Sequence, residues 1–174
     1  MSIITLGETG FFDIEPQFFS AIGMGCSIGI SVLGAAWGIF ITGSSLVGAS
    51  VRAPHIRTKN LISVIFAEAT AIYGLVLGII IQQKYTEHKH IAQGIDYYSG
   101  YALFWAGIIT GFGNMSCGVS VGVVGSSCAL ADAAHRSLFV KILVIEIFAS
   151  ALGIFAIIVG ILVANNASFS KFDY

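Results

Sequence analysis

Four long stretches that are almost free of charged residues constrain this sequence more than any other feature. Residues 17–51 and 97–131 contain no Asp, Glu, Lys or Arg, and residues 61–83 and 142–170 contain one such residue each. A helix needs about 20 mostly apolar residues to cross the hydrocarbon core of a membrane. Each stretch is long enough to cross once, and none is comfortably long enough to cross twice. The sequence therefore predicts an all-α membrane protein with four transmembrane helices.

The two stretches without any charge are longer than one crossing requires. As straight helices they would each reach about 50 Å, against about 30 Å of hydrocarbon. We expect their ends to project beyond the hydrocarbon or to fray into loops. The connections between stretches are short, at residues 52–60, 84–96 and 132–141, so no extramembrane domain is predicted.

The low charge content excludes several classes of protein. Only 10% of the residues are charged and the net charge is −1, whereas soluble domains carry about 25% charged residues. An ordinary soluble domain and an intrinsically disordered segment are therefore excluded. A net charge near zero also provides no basic surface for nucleic acid.

The sequence predicts no cofactor and no metal ion. Its short glycine motifs lack the third glycine of a dinucleotide-binding loop, and no P-loop lysine motif is present. We therefore expect the chain to bind no ATP. The three cysteines, Cys26, Cys117 and Cys128, are odd in number and show no Cys-x-x-Cys or Cys/His spacing. Neither a disulfide framework nor a zinc site is indicated.

The distribution of charge between connections predicts the orientation in the membrane. Residues 52–60 and 132–141 hold five basic residues and one acidic residue. The two termini and residues 84–96 hold three basic residues and six acidic ones. By the positive-inside rule, the first and third connections face the cytoplasm. Both termini and the middle connection then face the lumen or the exterior.

The two halves of the chain resemble each other. The triplet Gly-Ser-Ser at residues 43–45 recurs 82 residues later at 125–127, and Glu68 recurs 78 residues later as Glu146. Two spans per half keep both halves in the same orientation, so this is a parallel repeat of a helical hairpin. The predicted segments are a lumenal N-terminal segment 1–17, a first hairpin 18–83, a lumenal loop 84–96, a second hairpin 97–166 and a lumenal tail 167–174.

Glycines are concentrated in the first and third spans. Several lie four residues apart, so that each pair shares one face of its helix: Gly25 and Gly29, Gly34 and Gly38, Gly107 and Gly111, Gly118 and Gly122. Small residues let membrane helices approach closely. The pattern predicts a tight inner layer of these two helices, with the second and fourth spans outside it. It favours a crowded assembly such as a ring, although ordinary packing within a four-helix monomer is the alternative.

Two carboxylates lie well inside the second and fourth spans. Glu68 and Glu146 would each cost several kcal/mol as buried charges, so desolvation favours their neutral, protonated form. A carboxyl group that loads and unloads a proton is a functional hypothesis for such a residue, and a structural hydrogen bond is the alternative. Sodium is less favoured as cargo because Thr70 and Tyr73, the polar residues near Glu68 in sequence, are too few for a coordination cage.

Continuous stretches of this sequence resemble a known family. Residues 29–81 (GISVLGAAWGIFITGSSLVGASVRAPHIRTKNLISVIFAEATAIYGLVLGIII) and 139–163 (FVKILVIEIFASALGIFAIIVGILV) resemble the proteolipid subunits of the eukaryotic vacuolar-type proton ATPase. Those proteins are duplicated hairpins that form the membrane rotor ring. The resemblance runs over residues 18–164. Within the family, a carboxylate in the second span marks the subclass that this chain resembles most.

The resemblance implies a function and a site. It makes the chain a proton-conducting member of a V0 rotor ring, with Glu68 as the essential proton carrier and Glu146 as a secondary site. The implied partners are the other ring proteolipids, the V0 a subunit with its essential arginine, the V0 d subunit with the central stalk, and the V1 sector that hydrolyses ATP. The chain itself would not be an enzyme. Its implied location is a vacuolar, lysosomal, endosomal or other acidic membrane, with the plasma membrane as a further one.

Three alternatives remain open from the residues alone. A non-transporting tetraspan scaffold or channel would make both glutamates dispensable. A sodium-coupled rotor subunit would show carboxylate labelling that sodium ions block. A rotor subunit of an ATP synthase is disfavoured by the duplicated hairpin. A further feature, the sequon at Asn166, lies on the predicted lumenal side but close to the membrane, which disfavours its glycosylation.

Overall fold

The computed structural model confirms an all-α protein with four membrane-length helices. It describes residues 15–54, 56, 61–86 and 94–169. The helices are α1 (Pro16–Arg52), α2 (Ile62–Thr86), α3 (Gly94–Ala134) and α4 (Phe139–Asn165), with a 3₁₀ turn at Arg136–Leu138 before α4. All four are long and apolar enough to span a membrane. Most of the predicted segment 1–17 and much of the predicted loop 84–96 and tail 167–174 lie outside the described residues.

The first and third helices project beyond one membrane thickness and do not fray. α1 has 37 residues and α3 has 41, so they reach about 55 Å and about 60 Å. Proline marks both ends of α1. Pro16 occupies its first turn, where no backbone N–H is needed, and Pro54 follows shortly after its last residue, as the sequence predicts.

The four helices form an inner pair and an outer pair. α1 packs most extensively against α3, α2 packs mainly on α1, and α4 packs mainly on α3. This confirms the predicted inner layer. α4 buries only a narrow side, which consists of Glu146, Gly153, Gly160 and Ala164. Because the first three of these residues are seven apart, they fall on one line along the helix, and the rest of α4 presents apolar side chains outward.

Glycine brings the two inner helices into backbone contact. A methyl group on Gly107 of α3 would overlap the backbone of Gly23 on α1. A methyl group on Gly118 of α3 would lie 2.5 Å from the carbonyl oxygen of Gly34. Any larger residue at these positions would force α1 and α3 apart. The glycines of the inner pair therefore set the distance between the two helices.

The glycine pairs of α1 do not all serve this contact. Gly25 and Gly29 would meet nothing within 4 Å if they carried a methyl group, whereas Gly34 and Gly38 lie against α3. From Gly25 to Gly34 the helix advances nine residues, or two and a half turns, so the two pairs lie on opposite sides of α1. The pair at 25 and 29 is thus left on an open face, available to a neighbouring molecule.

The segment after α4 folds back against the ends of α2 and α3. The Lys84 ammonium group donates a hydrogen bond to the Ala167 carbonyl oxygen at 3.0 Å. The Ser99 hydroxyl donates to the Ser168 carbonyl oxygen at 2.8 Å. Both acceptors are carbonyl oxygens of the second and third residues of the Asn166 sequon.

Candidate functional site

Glu68 lies on the exposed side of α2. The neighbouring turns of the same face carry Ile65 and Ile72, whose side chains are 61% and 53% exposed. No hydrogen bond or ion pair joins the Glu68 carboxylate to any residue that the structure describes. In a membrane this face meets lipid or another subunit, so the carboxyl group sits alone in an apolar stripe on the outer surface.

The polar residues close to Glu68 in sequence point elsewhere. Thr70 is fully buried, and its hydroxyl donates to the Ala67 carbonyl oxygen of its own helix at 2.8 Å. The Tyr73 ring lies beside Gly153 of α4. A methyl group on that glycine would stand 3.1 Å from the ring. Neither side chain adds an oxygen to a cage around Glu68.

Glu146 occupies the opposite environment, inside the four-helix unit. Its side chain is 0% exposed. The hydroxyl of Ser63, on α2, donates to Glu146 Oε2 at 2.9 Å, and Oε1 has no hydrogen-bond partner among the described residues. Gly125 of α3 and Thr42 of α1 adjoin the same space. The carboxyl group is therefore enclosed by all four helices.

The two glutamates match in the sequence repeat but not in space. In α2, the nearest interior-facing glycine after Glu68 is Gly74, six residues further along. In α4, the nearest interior-facing glycine after Glu146 is Gly153, seven residues further along. Seven residues are close to two full turns, so Glu146 shares the inward face of its glycine. Six residues fall well short of two turns, which rotates Glu68 outward. This one-residue difference is readable in the sequence and distinguishes the two sites.

A third polar residue, Asn114 of α3, joins all four helices at one point. Its side chain is fully buried. With the amide oriented to satisfy its surroundings, the oxygen accepts from the Ser31 hydroxyl at 3.0 Å and from the Gly74 amide at 3.2 Å. The amide nitrogen donates to the Gly153 carbonyl oxygen at 3.2 Å. Sequence reasoning missed this role, although an Asn in the middle of an uncharged span is a signal of a helix-to-helix hydrogen bond.

We expect the substitution Asn114→Leu to destabilise the chain by about 1–3 kcal/mol, because it removes every hydrogen bond at this junction. The measurement is thermal unfolding of the purified chain in detergent. Ser116→Ala is the matched control, since the Ser116 hydroxyl is exposed and bonds only to Phe112 of its own helix. Equal unfolding temperatures for the two variants would show that the Asn114 junction contributes nothing to stability.

Comparison with protein families gives a double match. The family described as the C subunit of ATP synthase matches this chain twice, over residues 22–81 and 104–163. Each match covers one predicted hairpin, the first containing Glu68 and the second Glu146. The two matches together span more than half of the chain.

Several relatives match over most of the chain. The c''2 subunit of the V-type proton ATPase of Arabidopsis thaliana is 58% identical over 159 residues, which cover 89% of this chain and 88% of the relative. The c'' subunit of the V-type proton ATPase of Saccharomyces cerevisiae is 53% identical over 156 residues, or 88% of this chain and 73% of the relative. The c subunit of the V-type proton ATPase of Candida tropicalis is 30% identical over 155 residues, or 89% of this chain and 93% of the relative.

Proposed function

This chain belongs to the family of ATP synthase C subunits and, within it, to the V-type proton ATPase proteolipids, and on that premise we propose that Glu68 is its proton carrier. The protein is a proteolipid of the V0 rotor ring of a proton-translocating ATPase. It is a multi-pass integral protein of acidic-organelle membranes, with four spanning helices. The proposal gives Glu146, which lies enclosed within the four-helix unit, no part in carrying the proton.

One observation carries the choice of Glu68, namely its place on the outer, apolar face of α2. A carboxyl group there can travel through lipid when it is protonated and neutral, whereas the ionised form costs several kcal/mol away from water or a cation. Protonation of Glu68 therefore favours its movement through the bilayer. Release of the proton requires a partner that supplies positive charge. The membrane potential acts on each translocated proton at about 2.3 kcal/mol per 100 mV.

The positive charge comes from outside this chain. Of the arginines that the structure describes, Arg52 ends α1 and Arg136 lies in the turn before α4, so neither is placed at the depth of Glu68. In the proposed cycle, Glu68 takes a cytoplasmic proton through a half-channel in the V0 a subunit. It rotates through lipid in neutral form, meets the essential arginine of that partner, ionises and releases the proton to the lumen.

The proposed assembly assigns each remaining task to a partner. ATP hydrolysis belongs to the V1 sector, which turns the ring through the central stalk and the V0 d subunit. This chain is then a non-nucleotide-binding subunit, in keeping with its lack of a P-loop motif. Other ring proteolipids pack against its sides, and the open face of α1 at Gly25 and Gly29 offers one surface for such a neighbour.

Chemical labelling of the intact complex tests the assignment. A hydrophobic carbodiimide reacts with protonated carboxyl groups that it can reach from lipid. We expect mass spectrometry to find the adduct on Glu68 and not on the enclosed Glu146. The Glu68→Gln variant supplies the unlabelled control.

Two results of this labelling would favour the rival functions. Labelling of Glu68 that sodium ions block would indicate a sodium-coupled rotor subunit. An unreactive Glu68 in a correctly assembled complex would indicate a non-transporting scaffold.

A further inference from the structure

We infer that Glu146 is a positioning residue for Glu68, acting through its hydrogen bond with Ser63. By accepting this bond, the Glu146 carboxyl group holds the Ser63 side of α2 against the interior of the four-helix unit. This holds Glu68 on the outer face of the same helix. The inference rests on the proposed role of Glu68 as the proton carrier and assigns Glu146 a function that does not require it to exchange protons.

The geometry of α2 links the two positions. Ser63 and Glu68 are five residues apart, which corresponds to about 7.5 Å along the helix and about 140° around it. Ser63 is 2% exposed, whereas Glu68 is exposed. Because an α-helix turns as a rigid body over so short a distance, fixing the direction of Ser63 also fixes the direction of Glu68.

Polar contacts hold α2 on both sides of Glu68. On one side, Ser63 donates to Glu146 of α4 at 2.9 Å. On the other side, the Gly74 carbonyl oxygen accepts from the Ser27 hydroxyl of α1 at 3.0 Å, and the Gly74 amide donates to Asn114 of α3. The hydrogen bond between Ser63 and Glu146 lies near the N-terminal end of α2, at Ile62. Its loss would leave that end held only by apolar packing, such as that of Val64 and Ala67, while the Gly74 contacts stay intact.

The position of Glu146 also argues against its serving as a second rotating carrier. The carboxyl group is enclosed within its own subunit, and its exposed neighbours on α4 are Ile145, Ile147 and Phe148. To meet a cation on another subunit, α4 would have to rotate and withdraw Glu146 from Ser63. The hydrogen bond requires only an acceptor oxygen, which a neutral amide can also provide.

This difference between accepting a hydrogen bond and exchanging a proton gives the test. In the intact complex, Glu146→Gln keeps an acceptor for Ser63 but cannot titrate, whereas Glu146→Leu and Ser63→Ala each remove the bond. The readouts are the rate of carbodiimide labelling of Glu68 and ATP-driven proton pumping, both normalised to assembled complex. We expect Glu146→Gln to behave as the wild type, and the other two variants to slow labelling and pumping by about 3- to 15-fold.

The double variant Ser63→Ala/Glu146→Leu completes a double-mutant cycle. We expect its rates of labelling and pumping to be no lower than those of the more impaired single variant. If Glu146→Gln labelled and pumped as slowly as Glu146→Leu, the inference would be overturned, and Glu146 would have to exchange protons. Unchanged labelling of Glu68 in Ser63→Ala would also overturn it. Ser63→Ala removes only one hydroxyl group, so it keeps the test decisive if Glu146→Leu fails to assemble. Failure of the proposed function is recognised separately, by a Glu68→Gln complex that still pumps.

Discussion

Glu68→Gln should reduce ATP-driven acidification to the background of a complex without active V1, while the assembled complex remains at its normal level. Glutamine has nearly the shape of a protonated glutamic acid, so it can face lipid on the outer side of α2. It carries no proton that it can release, and the ring position it occupies therefore transports nothing. The measurement is quenching of a pH-sensitive dye in membrane vesicles, with the complex quantified by co-purification.

Two further variants make this result specific. Glu68→Asp keeps a titratable group that is shorter by one methylene, and we expect it to pump at a reduced rate. Glu146→Gln applies the same chemical change to the enclosed glutamate, and we expect it to pump normally. Normal acidification by Glu68→Gln would contradict the carrier role and leave this chain as a structural member of the ring.

The helices and their layering were readable from the sequence because both depend on simple requirements. Spanning the hydrocarbon needs about 20 residues without charge, and close helix approach needs small residues. The absence of charge over residues 17–51 and 97–131 thus predicted α1 and α3, and their glycines predicted that these two helices form the inner pair. The sequence did not decide whether the ends of α1 and α3 project beyond the membrane or fray into loops. They project, because a helix continues beyond the membrane wherever no residue stops it.

The environments of the two glutamates were harder to predict because repeat matching ignores rotation. Aligning the two halves pairs Glu68 with Glu146, yet one residue of helix corresponds to about 100°. The spacing to the interior glycines, six residues to Gly74 and seven to Gly153, carries the missing information. Asn114 was overlooked for a related reason. Its partners Ser31, Gly74 and Gly153 lie on three other helices, and only the packed structure brings them together.

The inner glycines provide the second large effect that we expect. Gly107→Val should destabilise the chain by about 3 kcal/mol or more, at the upper end of the cost of overfilling a packed interior. The added side chain would overlap the backbone of Gly23, and a backbone cannot move aside as a flexible side chain can. The measurement is thermal unfolding of the purified full chain in detergent.

Gly29→Val is the matched control because it makes the same chemical change on the open face of α1, where an added carbon meets nothing within 4 Å. Glycine already lowers helix stability by about 1 kcal/mol relative to alanine, so its replacement there should leave the unfolding temperature nearly unchanged or raise it slightly. A loss of stability as large as that of Gly107→Val would show that backbone contact between α1 and α3 does not set the stability. If Gly29→Val unfolds normally but fails to enter the ring, the open face of α1 is a contact with a neighbouring proteolipid. The pair of variants thus separates the glycines that close the four-helix unit from those that join it to its neighbours.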